Sequence, residues 1–203
     1  EEKNRYTDAF VTDDQRYLVI FGADATSGNK LFIKDLKDPK APLVTILNDY
    51  SSDTSVIDVK GDKLYLFTNL NAPNGKVVVT DIKTPTPDHW KDLIPETENV
   101  LDVITAGGYI LAKYTVAALT EVKQYDFTGK FIRDIKLPSI GVAGGFSAKE
   151  NQKDTYFWFT NTCTPTSIYK LNLESGETTQ YWKPSINFNS DEYESKQVFY
   201  TSK

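Results

Sequence analysis

A strand-like pattern occurs four times in this 203-residue chain, at intervals of about 46 residues. In each copy a short apolar segment ends in an acidic or amide residue: 31–35, 77–81, 123–126 and 168–172, with last residues 46, 45 and 46 positions apart. A second series lies one strand earlier, spaced 46, 46 and 47: 17–19, 63–65, 109–111 and 156–158. A fixed period of about 40–50 residues, with four short strands per repeat, is typical of β-propeller blades.

The pattern predicts an all-β fold of four consecutive four-stranded antiparallel blades. We expect the blades within residues 6–183, at about 6–48, 54–94, 99–137 and 141–183. The second strand of each blade is apolar on both faces, as in residues 17–21, which predicts a sheet covered on both sides. The predicted strands are 9–11, 16–21, 30–36, 43–47, 55–60, 63–68, 76–82, 90–94, 100–105, 109–114, 121–127, 131–137, 142–147, 155–160, 167–173 and 178–182.

Composition excludes several classes of function. The chain is 39% hydrophobic and 13% aromatic, as in a globular domain, and its net charge is −5 with no basic stripe, so we expect no nucleic-acid partner. No run approaches the roughly 18–20 apolar residues that span a bilayer, so we expect a soluble chain, cytoplasmic or periplasmic. With one cysteine and one histidine, the sequence predicts no disulfide, no metal site and no cofactor.

Several motifs are more specific than the repeat. The loop Thr-Asn-Leu-Asn-Ala-Pro-Asn at 68–74 and the segment Trp-Lys-Asp-Leu-Ile-Pro-Glu at 90–96 resemble motifs of the prolyl oligopeptidase family of serine peptidases. The resemblance continues through residues 141–146 and 160–169. It ends at 193–203, which is similar to the junction before that family's catalytic domain. The resemblance therefore covers nearly the whole chain in order.

The resemblance implies a seven-bladed propeller inserted into an α/β-hydrolase domain, with this chain as its last four blades. Residues 184–203 would then be a linker and the first strand leading to that domain. Because there is no methionine, residue 1 is not a translation start, and we expect a piece of a longer polypeptide. No Gly-x-Ser-x-Gly elbow occurs here, so the chain itself should not be catalytic, whereas the parent protein would be a serine-type prolyl endopeptidase.

The family resemblance implies that the propeller controls which substrates reach the active site. The propeller would cover the active site, exclude large folded proteins and admit short proline-containing peptides, and its partner would be the catalytic domain of the same polypeptide. The alternative is a stand-alone propeller that binds a protein or peptide on one rim. The four blades alone could hold an open arc, close on themselves or pair with a second copy. An open arc would expose apolar faces near 9–21 and 155–182, which favours self-association.

Few residues are candidates for catalysis or metal binding. His89 lies in a proline-rich turn and Cys163 in a Thr/Pro-rich loop without a nearby histidine, so we interpret both as loop residues. The repeated residues 35, 81, 126 and 172 are interpreted as turn caps that accept backbone N–H groups, rather than as a ring of cation ligands.

The loops between the second and third strands of each blade are better candidates for binding, because loops on one rim of a repeat scaffold usually carry it. They are 22–30, 69–76, 115–120 and 161–167. In the family, Asn29 and Lys30 fall where members commonly carry Asn-Arg, which implies that they lie close to the substrate. Lysine keeps the charge of arginine but cannot donate two parallel hydrogen bonds to one carboxylate as a guanidinium group does.

Overall fold

The computed structural model describes residues 5–188 and 192–201. These residues form sixteen β-strands in four four-stranded sheets, and Pro87–His89 forms a 3-10 turn. The strands are β1 Tyr6–Val11, β2 Tyr17–Ala23, β3 Lys30–Asp35, β4 Val44–Leu47, β5 Thr54–Lys60, β6 Lys63–Thr68, β7 Lys76–Asp81, β8 Lys91–Ile94, β9 Val100–Ala106, β10 Tyr109–Val116, β11 Leu119–Tyr125, β12 Phe131–Ile135, β13 Val142–Gly145, β14 Asp154–Thr160, β15 Ser167–Asn172 and β16 Thr178–Trp182.

Each sheet is a simple antiparallel meander in which every strand pairs with its neighbours in sequence. The sheets are β1–β4, β5–β8, β9–β12 and β13–β16, called blades one to four below. This confirms the predicted fold class, because all sixteen expected strands form and their ends differ from the predicted ones by a few residues. The chain divides into two compact units, one up to Val103 and one from Ile104 onward.

Each unit has its own apolar core. In the first unit, alternate residues of β2 and β3, including Val19, Leu31 and Ile33, pack with Leu64 and Leu66 of β6. All five are at most 1% exposed. Full burial of one such aliphatic side chain contributes about 1.5–3 kcal/mol. The period-2 pattern of a strand therefore determines which face of the sheet enters the core.

The core of the second unit is more aromatic. Phe157 of β14 stacks on Phe146, with 4.6 Å between the ring centroids, and on Tyr169 of β15 at 5.5 Å. The opposite face of β14 carries Tyr156 and Trp158, which are 46% and 39% exposed. The prediction that both faces of every second strand are covered is therefore wrong for blade four. The physical reason is that no described sheet packs over this face.

The repeated acid or amide at the end of the third strand caps a turn, as predicted. In every blade its side-chain oxygen accepts a hydrogen bond from the backbone N–H two residues later. The pairs are Asp35–Lys37 at 2.9 Å, Asp81–Lys83 at 2.8 Å, Asp126–Thr128 at 2.8 Å and Asn172–Glu174 at 3.1 Å. The 46-residue period therefore reflects a repeated local turn as well as repeated strands.

No strand is assigned in residues 184–188 and 192–201, and the strand expected within 184–203 stays a prediction. Val198, Phe199 and Tyr200 are strongly exposed. A strand needs a neighbouring strand to satisfy its backbone groups, and no described segment runs beside this one. Residues 189–191, 202 and 203 lie outside the described residues. Within the described ranges, no helix has the length and apolarity needed to cross a bilayer.

Candidate functional site

The loops that join the second and third strands form the candidate site, and we call them rim loops. They comprise residues 24–29, 69–75, 117–118 and 161–166 in blades one to four. In an antiparallel meander, this loop and the segment that leaves the fourth strand lie at the same end of the sheet. Each rim loop can therefore reach the segment that leads into the following blade.

The first rim loop ends in Asn29, whose amide is bonded to blade two. The amide oxygen accepts a hydrogen bond from the backbone N–H of Thr54 at 2.9 Å, and the amide nitrogen donates to the carbonyl of the same residue at 2.9 Å. The backbone N–H of Asn29 also donates to the Ser52 carbonyl at 3.0 Å. The polar atoms of Asn29 therefore join two blades rather than pointing freely into solvent.

Gly28 determines the direction that this loop takes. Its backbone N–H donates to Asp53 Oδ1 at 2.7 Å, and its φ is +79°. A Cβ at this position would lie 2.0 Å from the carbonyl oxygen of Tyr50. The second Asp53 oxygen accepts from the amide of Asn69 in the next rim loop at 3.0 Å. One carboxylate thus joins two rim loops, and only glycine fits the close approach to Tyr50.

Lys30 follows at the start of β3 and is half-buried. Its ammonium group lies 5.3 Å from the centroid of the Tyr50 ring, in cation–π geometry. It forms no ion pair within the described ranges of the chain. The structure therefore assigns different surroundings to the two predicted substrate-proximal residues. Asn29 is bonded to backbone, whereas the charge of Lys30 acts on Asp49, whose pKa is lowered first by hydrogen bonds from Ser51 and then by Lys30. Their contact with substrate stays a prediction.

Equivalent tethers, which the sequence did not predict, occur in the next two blades. The backbone N–H of Asn74 donates to Glu96 Oε1 at 2.7 Å and its amide to the Thr97 carbonyl at 3.0 Å. In the second unit, Thr120 Oγ1 accepts from the backbone N–H of Ala143 at 3.1 Å. Asn29, Asn74 and Thr120 are 45 and 46 residues apart. The period was therefore the signal that could have revealed them.

A chain of buried hydroxyl groups supports the first tether. Thr54 Oγ1 lies 3.1 Å from Ser52 Oγ and 2.7 Å from Thr68 Oγ1, and all three residues are at most 3% exposed. The Thr68 hydroxyl accepts a further bond from the backbone N–H of Leu70 at 3.1 Å. Buried hydroxyls that are paired in this way avoid the desolvation cost of unsatisfied polar groups and hold Thr54 in place for Asn29.

The other candidates lie apart from one another. His89 is exposed in its turn, where Nδ1 lies 3.2 Å from Thr86 Oγ1. Cys163 is half-buried in the fourth rim loop, and its sulfur accepts a 3.4 Å hydrogen bond from Ser195 Oγ. In residues 5–188 and 192–201, no group of three or more His, Cys, Asp or Glu side chains is arranged to hold a metal ion.

The segment 192–201 lies against the rim loops of the second unit. The hydroxyls of Ser195 and Thr162 are 2.7 Å apart, and the Gln197 amide donates to the carbonyl of Ala117 at 2.6 Å. These contacts place the segment that follows blade four on the same end of the sheets as the rim loops.

Comparison with known proteins agrees with this architecture. Residues 1–184 match the family described as prolyl oligopeptidase, N-terminal beta-propeller domain. The chain is 48% identical over 198 residues to a prolyl endopeptidase of Elizabethkingia miricola and 49% identical to that of Elizabethkingia meningoseptica. Each alignment covers 98% of this chain, which spans only 28% of the length of either relative.

Solved structures show the same likeness. A structure from a study of two prolyl endopeptidases and their inter-domain dynamics superposes with a TM-score of 0.88 and 27% identity, covering 98% of this chain and 29% of that one. Prolyl oligopeptidase B of Galerina marginata, bound to a 35-residue substrate, gives 0.85 and 25%, with the same coverage. The chain therefore belongs to the prolyl oligopeptidase family, within its N-terminal β-propeller domain.

Proposed function

We propose that this chain is the substrate-selecting part of a prolyl endopeptidase. In this role the propeller covers the active site of an α/β-hydrolase domain in the same polypeptide and admits short peptides that are cleaved after proline. The observation that carries the proposal is the 48% identity to a prolyl endopeptidase over 98% of the chain. The chain contains no Gly-x-Ser-x-Gly elbow, so the acyl-transfer chemistry would belong to the hydrolase domain.

Selection would act by exclusion, and the tethers explain how the rim can act as a fixed boundary. A hydrogen bond contributes about 0.5–1.5 kcal/mol net, whereas leaving its buried partner unpaired costs about 1–3 kcal/mol. Asn29 supplies two such bonds to Thr54, and Asn74 supplies two to the segment before blade three. Rim loops held in this way resist local opening, so folded proteins are excluded while a flexible peptide passes.

Lys30 would add a charge to this boundary. Its ammonium group has no carboxylate oxygen within 4 Å in the described part of the chain, although its charge acts on Asp49, and Asn29 fixes the backbone immediately before it. A lysine at such a position attracts acidic groups as a point charge, without the geometry that arginine would impose. We therefore propose that Asn29 positions the rim and that Lys30 contacts acidic groups of the incoming peptide.

A chimeric enzyme tests the proposal. The aligned segment of the Elizabethkingia miricola prolyl endopeptidase is replaced by this chain, and hydrolysis of a short proline reporter peptide is compared with digestion of a large folded protein that carries the same proline sequence in an exposed loop. We expect kcat/KM for the reporter within about tenfold of the parent enzyme, a difference of about 1.4 kcal/mol, and an intact large protein. In the chimera, Lys30→Ala should raise KM for a peptide with acidic residues by up to about fivefold, as for an exposed ion pair.

Two controls make the result interpretable. Lys34→Ala removes the same charge four residues further along β3 and should leave the acidic-peptide KM unchanged. Circular dichroism and gel filtration establish that the chimera is folded. A folded chimera without reporter hydrolysis, together with peptide binding by the isolated chain, would support the stand-alone binding module instead.

A further inference from the structure

A cleft of about 270 Å³ opens beside the first rim loop, within the first unit. Its floor is apolar and is formed by Phe10 of β1, Phe21 of β2 and Val56 of β5. Phe10 is 45% exposed, and the other residues of β1 are exposed as well. The cleft therefore presents aromatic surface at the end of the sheets where the tethers lie.

The path of the rim loop explains why this aromatic surface is open. Phe67 of β6 is the repeat equivalent of Phe21, 46 residues later, and its own rim loop lies on it: a Cβ on Gly75 would be 2.6 Å from the ring. In blade one the loop glycine, Gly28, lies one position further from the third strand and is instead pressed against Tyr50. The loop thus turns away from Phe21 and leaves its ring facing the cleft.

The mouth of the cleft is polar. The hydroxyl groups of Thr26, Ser27 and Ser55 line it, and none of them has a hydrogen-bond partner among residues 5–188 and 192–201. Both oxygens of the neighbouring Asp53 already accept hydrogen bonds. Three uncommitted hydroxyls above an apolar floor form the combination that ligand sites use, in which apolar lining provides affinity and a few polar groups fix orientation.

We propose that this cleft is a subsite for one apolar side chain, such as phenylalanine or leucine, of the peptide substrate. The proposal rests on the proposed function for its choice of occupant, because the family's relatives act on peptides. Size supports a single side chain: pockets for drug-sized ligands have about 300–1,000 Å³, and this cleft is smaller. The mouth hydroxyls would then bond to the peptide backbone on either side of that residue.

Binding to the 203-residue chain tests the subsite without catalysis. The chain is titrated with the capped tripeptide acetyl-Phe-Gly-Pro-amide and with its Gly-Gly-Pro counterpart, and chemical shifts of the backbone amides are followed by NMR. We expect shifts confined to residues 25–29 and 53–56, and affinity for the phenylalanine peptide higher by about tenfold or more. Equal affinity for the two peptides, or shifts elsewhere on the chain, would overturn the proposal.

Variants identify the cleft as the site. Ala23→Phe places a ring inside the cleft and should abolish the preference for phenylalanine, whereas Ala41→Phe, in the connection between β3 and β4, should leave it unchanged. If Ala23→Phe unfolds the chain, Ser55→Trp at the exposed mouth blocks the same space. A folded variant with a blocked cleft that still prefers the phenylalanine peptide would contradict the subsite proposal.

The chimera separates this inference from the proposed function. An active chimera in which Ala23→Phe leaves the preference for phenylalanine over glycine unchanged would contradict the subsite proposal but not the gating proposal. An inactive but folded chimera would contradict the gating proposal, while the peptide titration of the isolated chain would still decide whether the cleft binds.

Discussion

The rim loops of blades one and three occupy the same position in the repeat but are built differently. The loop of blade one has six residues, 24–29, and is held by hydrogen bonds to blade two through Gly28 and Asn29. The loop of blade three has only two residues, Ala117 and Ala118, with φ of +47° and +67°. A two-residue hairpin with positive φ at both positions is a type I′ turn, which normally contains Asn and Gly.

The difference shows what the repeat controls and what it leaves free. The strands on both sides pair in the same register in both blades, because their apolar faces must enter the core. The longer loop uses polar contacts to hold its shape, and its path leaves the cleft over Phe21 open. The shorter loop has no residues with which to form a cleft, and its alanines adopt a disfavoured backbone conformation. Of these two blades, function is therefore expected in blade one, where the loop is longer and is anchored by hydrogen bonds.

The largest expected effect comes from Gly28→Ala. The new Cβ would meet the Tyr50 carbonyl at 2.0 Å, so the loop must move and lose its bonds to blade two. Left-handed alanine costs about 1–2 kcal/mol and the forced backbone shift about 1–3 kcal/mol, so the free energy of unfolding in urea should fall by about 3 kcal/mol.

Gly61→Ala is the matched control. Gly61 also has positive φ, at +62°, but a Cβ there meets no atom within 4 Å. We expect this variant to lose only about 1 kcal/mol, from the backbone conformation alone. Equal losses in the two variants would show that the approach to Tyr50 does not hold the rim loop.

The opposite sign is expected for the turn of blade three. Replacing Ala117 by Asn and Ala118 by Gly supplies residues that tolerate positive φ, and should raise the free energy of unfolding by about 1 kcal/mol. The Gln197 bond to the Ala117 carbonyl is retained, because the acceptor belongs to the backbone. Ala143→Gly, in the buried strand β13, is the control and should destabilise instead, by about 0.5–1 kcal/mol. A double variant that is less stable than the starting chain would refute the strain in this turn.

The strands were predictable because each carries its own signal. Apolar alternation, turn residues and the 46-residue period all act locally, so the blade count and the third-strand caps at Asp35, Asp81, Asp126 and Asn172 follow from sequence. The strand expected within 184–203 has no such local signal. It could not be judged locally, because a strand forms only when a second strand lies beside it.

The site was less predictable because its contacts join distant residues. Asn29 was placed near the substrate, yet its amide is bonded to Thr54, 25 residues later and in another blade. Nothing near Asn29 in the sequence indicates this partner. The cleft depends on the path of a loop that Gly28, Tyr50 and Asp53 determine together. Only the spacing of Asn29, Asn74 and Thr120 could have indicated that these positions share a structural role.

The smallest expected effect concerns the opposite end of the same strands, where the caps of blades three and four differ in charge. Hydrogen bonds from the Thr128 hydroxyl, and then from backbone N–H groups, hold the pKa of Asp126 below its usual range. A carboxylate with a lowered pKa in the folded state stabilises the fold above its unfolded pKa. That contribution is lost as the pH falls through the folded pKa. Asn172 occupies the equivalent position and does not titrate.

Asp126→Asn should therefore make the turn of blade three resemble that of blade four. The free energy of unfolding should then depend less on pH in the acid range. Urea unfolding at several values between about pH 5 and about pH 2 should show a smaller loss of stability than in the starting chain. Because Asp126 lies near solvent and its interactions are screened, we expect a difference below about 1 kcal/mol. Asp13→Asn removes one carboxylate that has no hydrogen bond among the described residues, and it should keep the original slope. If both variants flatten the profile equally, the cause is net charge rather than the capped turn, and the two blades are equivalent at this end.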